Sequence, residues 1–200
     1  MPSYLPSIQF LNPYKERVIV VGMVQEGKTN LLKWLLSQCL IRYTVFDTLG
    51  MVRRGGFQPL KPDIQTVVTP PFHNRLPVFK ETCKEVWKKG NQIFCIDEVS
   101  EFCTKWEIDD ELDLVVKMGG NRNIGMWMTT QRVAQVHNNI LANCKHHFIF
   151  RTYLPQDLEW YSKVVPKEVI LMSKDLPQYY FIYYELGKTP QSFKPVKKMD

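Results

Sequence analysis

Short apolar runs recur along this chain with helix-compatible segments between them. Val18-Ile19-Val20-Val21 is apolar and β-branched, and Arg17–Val21 reads as a first strand. Thr44-Val45-Phe46 ends in Asp47 and reads as a second. Ile64–Thr69 is a third, closed by Pro70-Pro71, and Gln92–Ile96 a fourth, closed by Asp97-Glu98. Gly125–Thr130, His147–Phe150 and the aromatic run Tyr179–Tyr184 complete the series. Helices fill Lys28–Ile41, Val78–Lys89, Asp109–Met118, Arg132–Ala142 and Pro155–Val164. Strands alternating with helices predict an α/β domain with a mostly parallel central sheet flanked by helices. Ligands of such a sheet bind at the carboxyl ends of its strands.

Between the elements, Leu49–Pro62 and Gly119–Asn123 read as loops with some freedom, each with adjacent glycines. The 200 residues fit one domain over 1–200, with an N-terminal extension over 1–14 and a basic, partly mobile tail over 187–200. Hydrophobic residues make up 44% and charged residues 23%, as in ordinary soluble domains, and no apolar run is long enough to cross a bilayer. The expectation is a protein that is not integral to a membrane. Met1–Tyr14 has three prolines and no basic start, so it does not read as a signal peptide. The five cysteines are scattered with no C-x-x-C pair, and the four histidines lack ligand spacing; neither set predicts a zinc site. A net charge of +6 is compatible with nucleic acid or an anionic membrane without deciding for either.

Gly22-Met23-Val24-Gln25-Glu26-Gly27-Lys28-Thr29 carries the most specific chemistry. It fits the G-x-x-x-x-G-K-[ST] pattern of a P-loop and stands between a strand and a helix, as that pattern requires. Glycines let the backbone bend until several N–H groups point into one hollow, on the positive end of the following helix. The site residues predicted for a nucleotide are Gly22, Gln25, Glu26, Gly27, Lys28, Thr29 and Asn30. Lys28 is expected to reach the β- and γ-phosphates, and Thr29 to hold Mg²⁺. The cofactors are then ATP and Mg²⁺.

Ile93-Phe94-Cys95-Ile96 delivers two carboxylates at its end. Asp97 is expected to bind Mg²⁺ and Glu98 to orient and deprotonate the attacking water. The competing reading is an acidic pair capping the helix that follows. Gln131, after Met126-Trp127-Met128-Thr129-Thr130, carries a neutral amide that can report the γ-phosphate; the competing reading is a polar helix start. Arg122 can complete a neighbouring subunit's site by neutralising charge in the transition state, or be a solvated loop arginine. Asp47-Thr48-Leu49-Gly50 matches the short D-x-x-G of GTPases, but a guanine-reading N-K-x-D is absent. A small P-loop nucleotide kinase and a nucleotide-gated switch or scaffold stay open as alternatives.

On the P-loop, the strand-end Asp97-Glu98 and the Gln of Thr130-Gln131-Arg132, the chain resembles the FtsK–HerA superfamily of DNA-pumping ATPases, from Arg17 to about Phe150. Arg122 and Gly125 precede the fifth strand in the spacing of that superfamily's cellular members, whereas Val133 stands where proline is common. The chain's compactness is similar to the small genome-packaging ATPases of viruses with an internal membrane. The resemblance implies a RecA-like fold, a homo-oligomer in the form of a hexameric ring, and ATP-driven movement of double-stranded DNA into a procapsid. It also implies docking on a capsid or internal-membrane protein, in the host cytoplasm during virion assembly. It assigns Lys28, Glu98, Gln131 and Arg122 to catalysis, the last in trans. Lys105 with Trp106, and Arg53 with Arg54, are the candidate DNA contacts, through phosphate and hence salt-sensitive; solvated basic loops and an RNA substrate stay open.

Overall fold

The computed structural model describes residues 12–48, 50 and 64–199. Val18–Val21 has no solvated face, and it forms β1 (Arg17–Val21) in the middle of a sheet. The chain continues through α1 (Lys28–Ser37), β2 (Tyr43–Asp47), β3 (Gln65–Val68), α2 (Arg75–Lys89), β4 (Gln92–Asp97) and α3 (Asp110–Met118). It then forms β5 (Ile124–Thr130), α4 (Asn138–Asn143), β6 (His146–Phe150), α5 (Pro155–Tyr161), α6 (Lys167–Met172), β7 (Phe181–Glu185) and β8 (Gln191–Phe193). One sheet takes all eight strands in the order β3-β2-β4-β5-β1-β6-β7-β8. The pairings from β3 to β6 are parallel, and β7 and β8 add antiparallel at one edge. The mostly parallel α/β sheet predicted from the alternation is the sheet observed.

Because side chains alternate across a strand, each central strand feeds two cores. Ile19, Val21, Phe94, Ile96, Met126 and Met128 face one core, built with α2 to α6. Val18, Val20, Ile93, Cys95 and Trp127 face the other, under α1. Both faces are covered, so the strands read as unbroken apolar runs. Crossover connections then bring the segments after β1, β4 and β5 to one end of the sheet.

Several boundaries depart from the sequence reading. α1 stops at Ser37, four residues before Ile41. The helix expected over Arg132–Ala142 is broken: a 3₁₀ turn, Val133–Gln135, precedes α4. Val136 and His137 between them are extended, with ψ of 134° and 141°, and the His137 ring caps α4 by accepting from the Asn139 N–H at 3.2 Å. A separate helix, α6, starts after Pro166, where the sequence reading had none. Gly119–Asn123 is not a free loop but a 3₁₀ turn whose Arg122 carbonyl accepts the Asn91 N–H at 2.9 Å. The tail over 187–200 contributes β8, buries Phe193 and returns to α1, where the Met199 N–H donates to Asn30 Oδ1 at 2.8 Å. Gly125 is fixed by close approach: a Cβ there would stand 1.7 Å from the Pro13 carbonyl oxygen.

One buried histidine gives the sheet a pH dependence. His147 Nε2 lies 2.9 Å from the Cys144 carbonyl, which can only accept, so Nε2 carries the proton. Nδ1 therefore accepts from the Tyr161 hydroxyl at 2.7 Å. Burial pushes the ring's pKa down from 6.5 to about 4. The unfolded chain takes up this proton below 6.5 and the folded one does not, so stability falls as pH drops from 6.5 toward 4. The loss attributable to His147 is about 3 kcal/mol at most. Thermal unfolding across this range is expected to show a steeper acid loss for wild type than for His147→Phe, whatever the variant's stability at neutral pH; equal slopes would remove His147 as the cause.

Candidate active site

β1 ends at Val21, and its next residues must turn sharply to start α1. Gly27, at φ 97°, and Gln25, at φ 62°, hold left-handed conformations that wrap the backbone around a hollow. The Gly22 N–H donates to the Thr130 carbonyl at 3.3 Å and the Met23 N–H to the Arg151 carbonyl at 3.3 Å, which pins the loop to β5 and the end of β6. Lys28 folds back across the hollow and donates from Nζ to the Met23 carbonyl at 2.8 Å. Burial pushes the Lys28 pKa down, while Glu98, Asp97 and Glu26 pull it back up.

The predicted residues converge. One cleft of about 520 Å³ is lined by Gln25, Gly27, Lys28, Thr29 and Asn30 on the loop side and by Asp97, Glu98 and Gln131 opposite. Asp97 is buried, and its Oδ1 accepts from the Thr129 hydroxyl at 2.9 Å. Its Oδ2 is buried with no partner. Burial raises the Asp97 pKa to about 6. An unpartnered buried carboxylate oxygen in the cleft that holds Thr29 fits a hard cation with oxygen ligands, so the residues fit Mg²⁺. Among the described residues no group of three His, Cys, Asp or Glu side chains could hold a metal alone; phosphate and water would have to complete such a site.

Glu98 is placed differently from the expectation of a free base. Its backbone is left-handed, at φ 61°, and three donors converge on one of its carboxylate oxygens, Oε1. Oε1 accepts from the Ser100 hydroxyl at 2.6 Å, the Thr130 hydroxyl at 3.0 Å and the Gln131 N–H at 3.0 Å; the last also lies 3.1 Å from Oε2. The acid predicted to activate water and the residue predicted to sense phosphate are thus joined to each other. The acidic pair does not act as a side-chain cap: the 3₁₀ turn after Glu98 has no such bond.

Glu26, expected to bind the nucleotide, is buried and does not line the cleft. Its Oε1 accepts from Arg151 Nη2 at 2.6 Å and Nε at 3.0 Å, an ion pair that offsets its charge, while its Oε2 is buried with no partner. Arg151 was not singled out in the sequence; an arginine closing an apolar strand was its one available signal. Thr129 was read only as part of the strand end that leads to Gln131, yet its hydroxyl joins Asp97 to the Glu98 N–H at 3.0 Å. Tyr179, expected to start a buried strand, instead precedes β7 with a left-handed φ of 67°, and its exposed ring lines the cleft beside Gly27. Asn30 binds the tail, donating to the Lys197 carbonyl at 3.2 Å.

Arg122 lies elsewhere. It precedes β5, whereas Gln131 follows that strand, so the two are separated by roughly 20 Å of sheet. Its guanidinium donates to the Lys88 carbonyl at 3.0 Å and stacks toward Trp87. It therefore does not enter its own chain's cleft. Lys105 and Trp106 stay together, the ammonium 4.8 Å from the ring centroid, beyond the turn that follows Glu98. Arg53 and Arg54 lie outside the described residues.

This architecture is that of a RecA-like P-loop NTPase. No family model and no curated protein matches the sequence. Among solved structures, the chain is similar to the genome packaging NTPase B204 from Sulfolobus turreted icosahedral virus 2 in complex with AMP. The TM-score is 0.75 at 23% identity, over 94% of this chain and 100% of that one. It is also similar to the pCW3 conjugation coupling protein TcpA with ATPγS, at TM-score 0.70 and 16% identity, over 96% of this chain and 69% of that one. A third likeness is the cytoplasmic domain of the type VII secretion ATPase EccC of Thermomonospora curvata, at TM-score 0.62 and 12% identity, over 94% of this chain and 26% of that one.

Asp97 sets a testable cost. The unfolded side chain ionises near 3.8 and the folded one near 6, so stability falls as pH rises between these values. Without metal and nucleotide, Asp97→Asn is expected to be more stable than wild type by about 1–3 kcal/mol at pH 7.5, the gain vanishing near pH 4. Urea unfolding at both pH values measures it; a variant less stable than wild type at pH 7.5 would contradict the burial argument.

Proposed function

We propose that the chain is an ATP-hydrolysing motor subunit that moves double-stranded DNA into a viral procapsid. The observation that carries this reading is one cleft joining the P-loop hollow, an unpartnered Asp97 oxygen and Glu98. The full-length similarity to a genome-packaging NTPase supports the cargo and the setting, the host cytoplasm during assembly. The P-loop N–H groups and Lys28 bind phosphates. Thr29 and Asp97 would hold Mg²⁺, whose charge stabilises the phosphate oxygens when it is bound. Glu98 takes the proton of the attacking water, and Gln131 reports the γ-phosphate. Arg122, remote from its own cleft, serves the next subunit of a ring, which we take to be hexameric and docked on a capsid or internal-membrane protein.

The engaged Glu98 carboxylate favours a second reading, a nucleotide-gated switch that hydrolyses slowly. Turnover with and without duplex DNA, measured alongside oligomer mass, separates the two. A motor is stimulated by DNA; an unstimulated oligomer is a switch. Transfer of phosphate to a nucleoside monophosphate would instead identify a kinase.

Glu98→Gln is expected to bind ATP yet lose at least about 100-fold in turnover; unchanged turnover would remove Glu98 from the role. Arg122→Ala is expected to lose about 10³-fold alone, since it removes a charge supplied to the transition state. Mixing Arg122→Ala with Glu98→Gln subunits should restore activity, because some interfaces then combine an intact Arg122 with an intact Glu98. No recovery in oligomers shown to be mixed would count against action in trans.

A further inference from the structure

The chain leaving β6 is the seat of the P-loop. Phe150 packs under both glycines of the loop: a Cβ added at Gly22 would stand 2.5 Å from the Phe150 Cβ, and one at Gly27 would stand 3.6 Å from its ring. Arg151 holds the loop at two further points. Its carbonyl accepts the Met23 N–H at 3.3 Å, and its guanidinium donates through Nη2 and Nε to Glu26 Oε1 at 2.6 and 3.0 Å. Gln25 lies between these two anchors and Gly27 just beyond them, and both are left-handed. A left-handed residue other than glycine is uncommon and persists where its surroundings hold it.

The ion pair is one-sided in its burial. The Glu26 side chain is 4% exposed, with Oε2 buried and unpartnered, whereas the Arg151 side chain is 36% exposed. Water can satisfy the arginine but not the glutamate. A buried carboxylate is also adverse in this loop, which must gather the negative charge of a phosphate chain. Burial pushes the Lys28 ammonium toward neutrality, while Glu98, Asp97 and Glu26 all act to keep its charge. Asp97 lines the cleft, where a cation that arrives with the nucleotide offsets it, and Glu98 lines it too, held by its own donors. Glu26 does not line the cleft, so a cation bound there does not contact it. Arg151 is the cation that pairs with it.

We propose that Arg151 is a positioning residue for ATP: it cancels the charge of Glu26 inside the loop and so leaves Lys28 and the loop amides to the phosphates. The proposal rests on the reading of the hollow as the ATP site. Arg151 does not act by touching the nucleotide, since its side chain is not part of the cleft lining. Without it, an uncompensated carboxylate inside the loop competes with phosphate for Lys28 and repels the incoming anion. That repulsion acts alike on bound ATP and on its transition state, so it weakens binding and spares the chemical step.

ATP affinity is measured by isothermal titration calorimetry with Mg²⁺ present, and KM and kcat by steady-state turnover. Arg151→Ala is expected to weaken ATP binding about tenfold or more and to raise KM by a like factor, with kcat at saturating ATP kept within about threefold. Arg151→Lys, which keeps the charge without the fork, should lose at least about threefold less than Arg151→Ala. The decisive comparison is a double-mutant cycle. Glu26→Gln keeps the shape of the side chain and removes its charge, and in that background Arg151→Ala is expected to cost less than about threefold in affinity.

An equal loss from Arg151→Ala in both backgrounds would overturn the charge argument, as would an Arg151→Lys protein that binds as poorly as Arg151→Ala. A fall in kcat with KM unchanged would put Arg151 in the chemical step and overturn the proposal too. Should Arg151→Ala fail to fold, Arg151→Lys in the two backgrounds gives the same cycle, and its loss must shrink beside Glu26→Gln. A wild-type protein that does not bind ATP would sink the reading of the hollow and the proposal with it. Wild-type binding left unaffected by Arg151→Ala would sink the proposal alone.

Discussion

Two carboxylates and an ammonium buried together at the end of the sheet are the constraint on which the remaining structure depends. Asp97, Glu98 and Lys28 are each less than a tenth exposed, and charges taken out of water cost several kcal/mol each unless they are matched. The matching is uneven. Glu98 has hydroxyl and amide donors on three residues, Lys28 has one carbonyl, and Asp97 has a single hydroxyl with its second oxygen bare. Such a site is destabilised in proportion to what it has yet to bind. A triphosphate with its cation would supply both missing partners at once: anionic oxygens for Lys28 and positive charge for Asp97. Ligand binding and local stability are therefore the same free energy seen from two sides.

The sheet keeps this arrangement rigid. β1, β4 and β5 are adjacent and parallel, each buried on both faces, so their carboxyl ends cannot move apart without opening two cores. Thr129 shows the economy of the design: its hydroxyl donates to Asp97 and accepts the Glu98 N–H, so one side chain of β5 fixes both acids at the end of β4. The P-loop is tied into the same frame by the carbonyls of Thr130 and Arg151.

What could be read from the sequence follows from this. A strand buried on both faces writes itself as an unbroken apolar run, and the P-loop and Asp97-Glu98 stand at the ends of such runs, so strands and site were legible together. The helices α1 and α2 were legible by length. The segment after Gln131 was not, because its helical pattern hides the two extended residues, Val136 and His137, and nothing local forces them. Asp157, which accepts from Arg132 and Ala134, lies far along the chain. The tail was misread because lysine and proline composition reports solvation, whereas Phe193 and the Asn30 contacts anchor it through single residues. The state of Glu98 could not be read at all. Motif spacing says which side chains meet in a cleft, but a hydrogen bond to Ser100 or to the Gln131 N–H depends on a rotamer and on one left-handed φ.

That state gives the two segments after β4 and β5 their significance. The left-handed Glu98 opens a 3₁₀ turn that carries Ser100, and Arg132 follows Gln131 directly, so a single layer of chain lines the nucleotide cleft and a second cleft with different side chains. Glu98 and Gln131 look toward the nucleotide, while Ser100 and Arg132 look away from it. No long path is needed to connect the two sides, because the bond from Ser100 to Glu98 already joins a residue of one lining to a residue of the other. So short a link also limits what each side can do. It can pass on a shift of one hydroxyl or one backbone amide, which is enough to free or hold a carboxylate oxygen but too little to rebuild the P-loop. Control exerted across it would therefore fall on the proton-transfer step and leave phosphate binding, which depends on Lys28 and the loop amides, to the other face of the site.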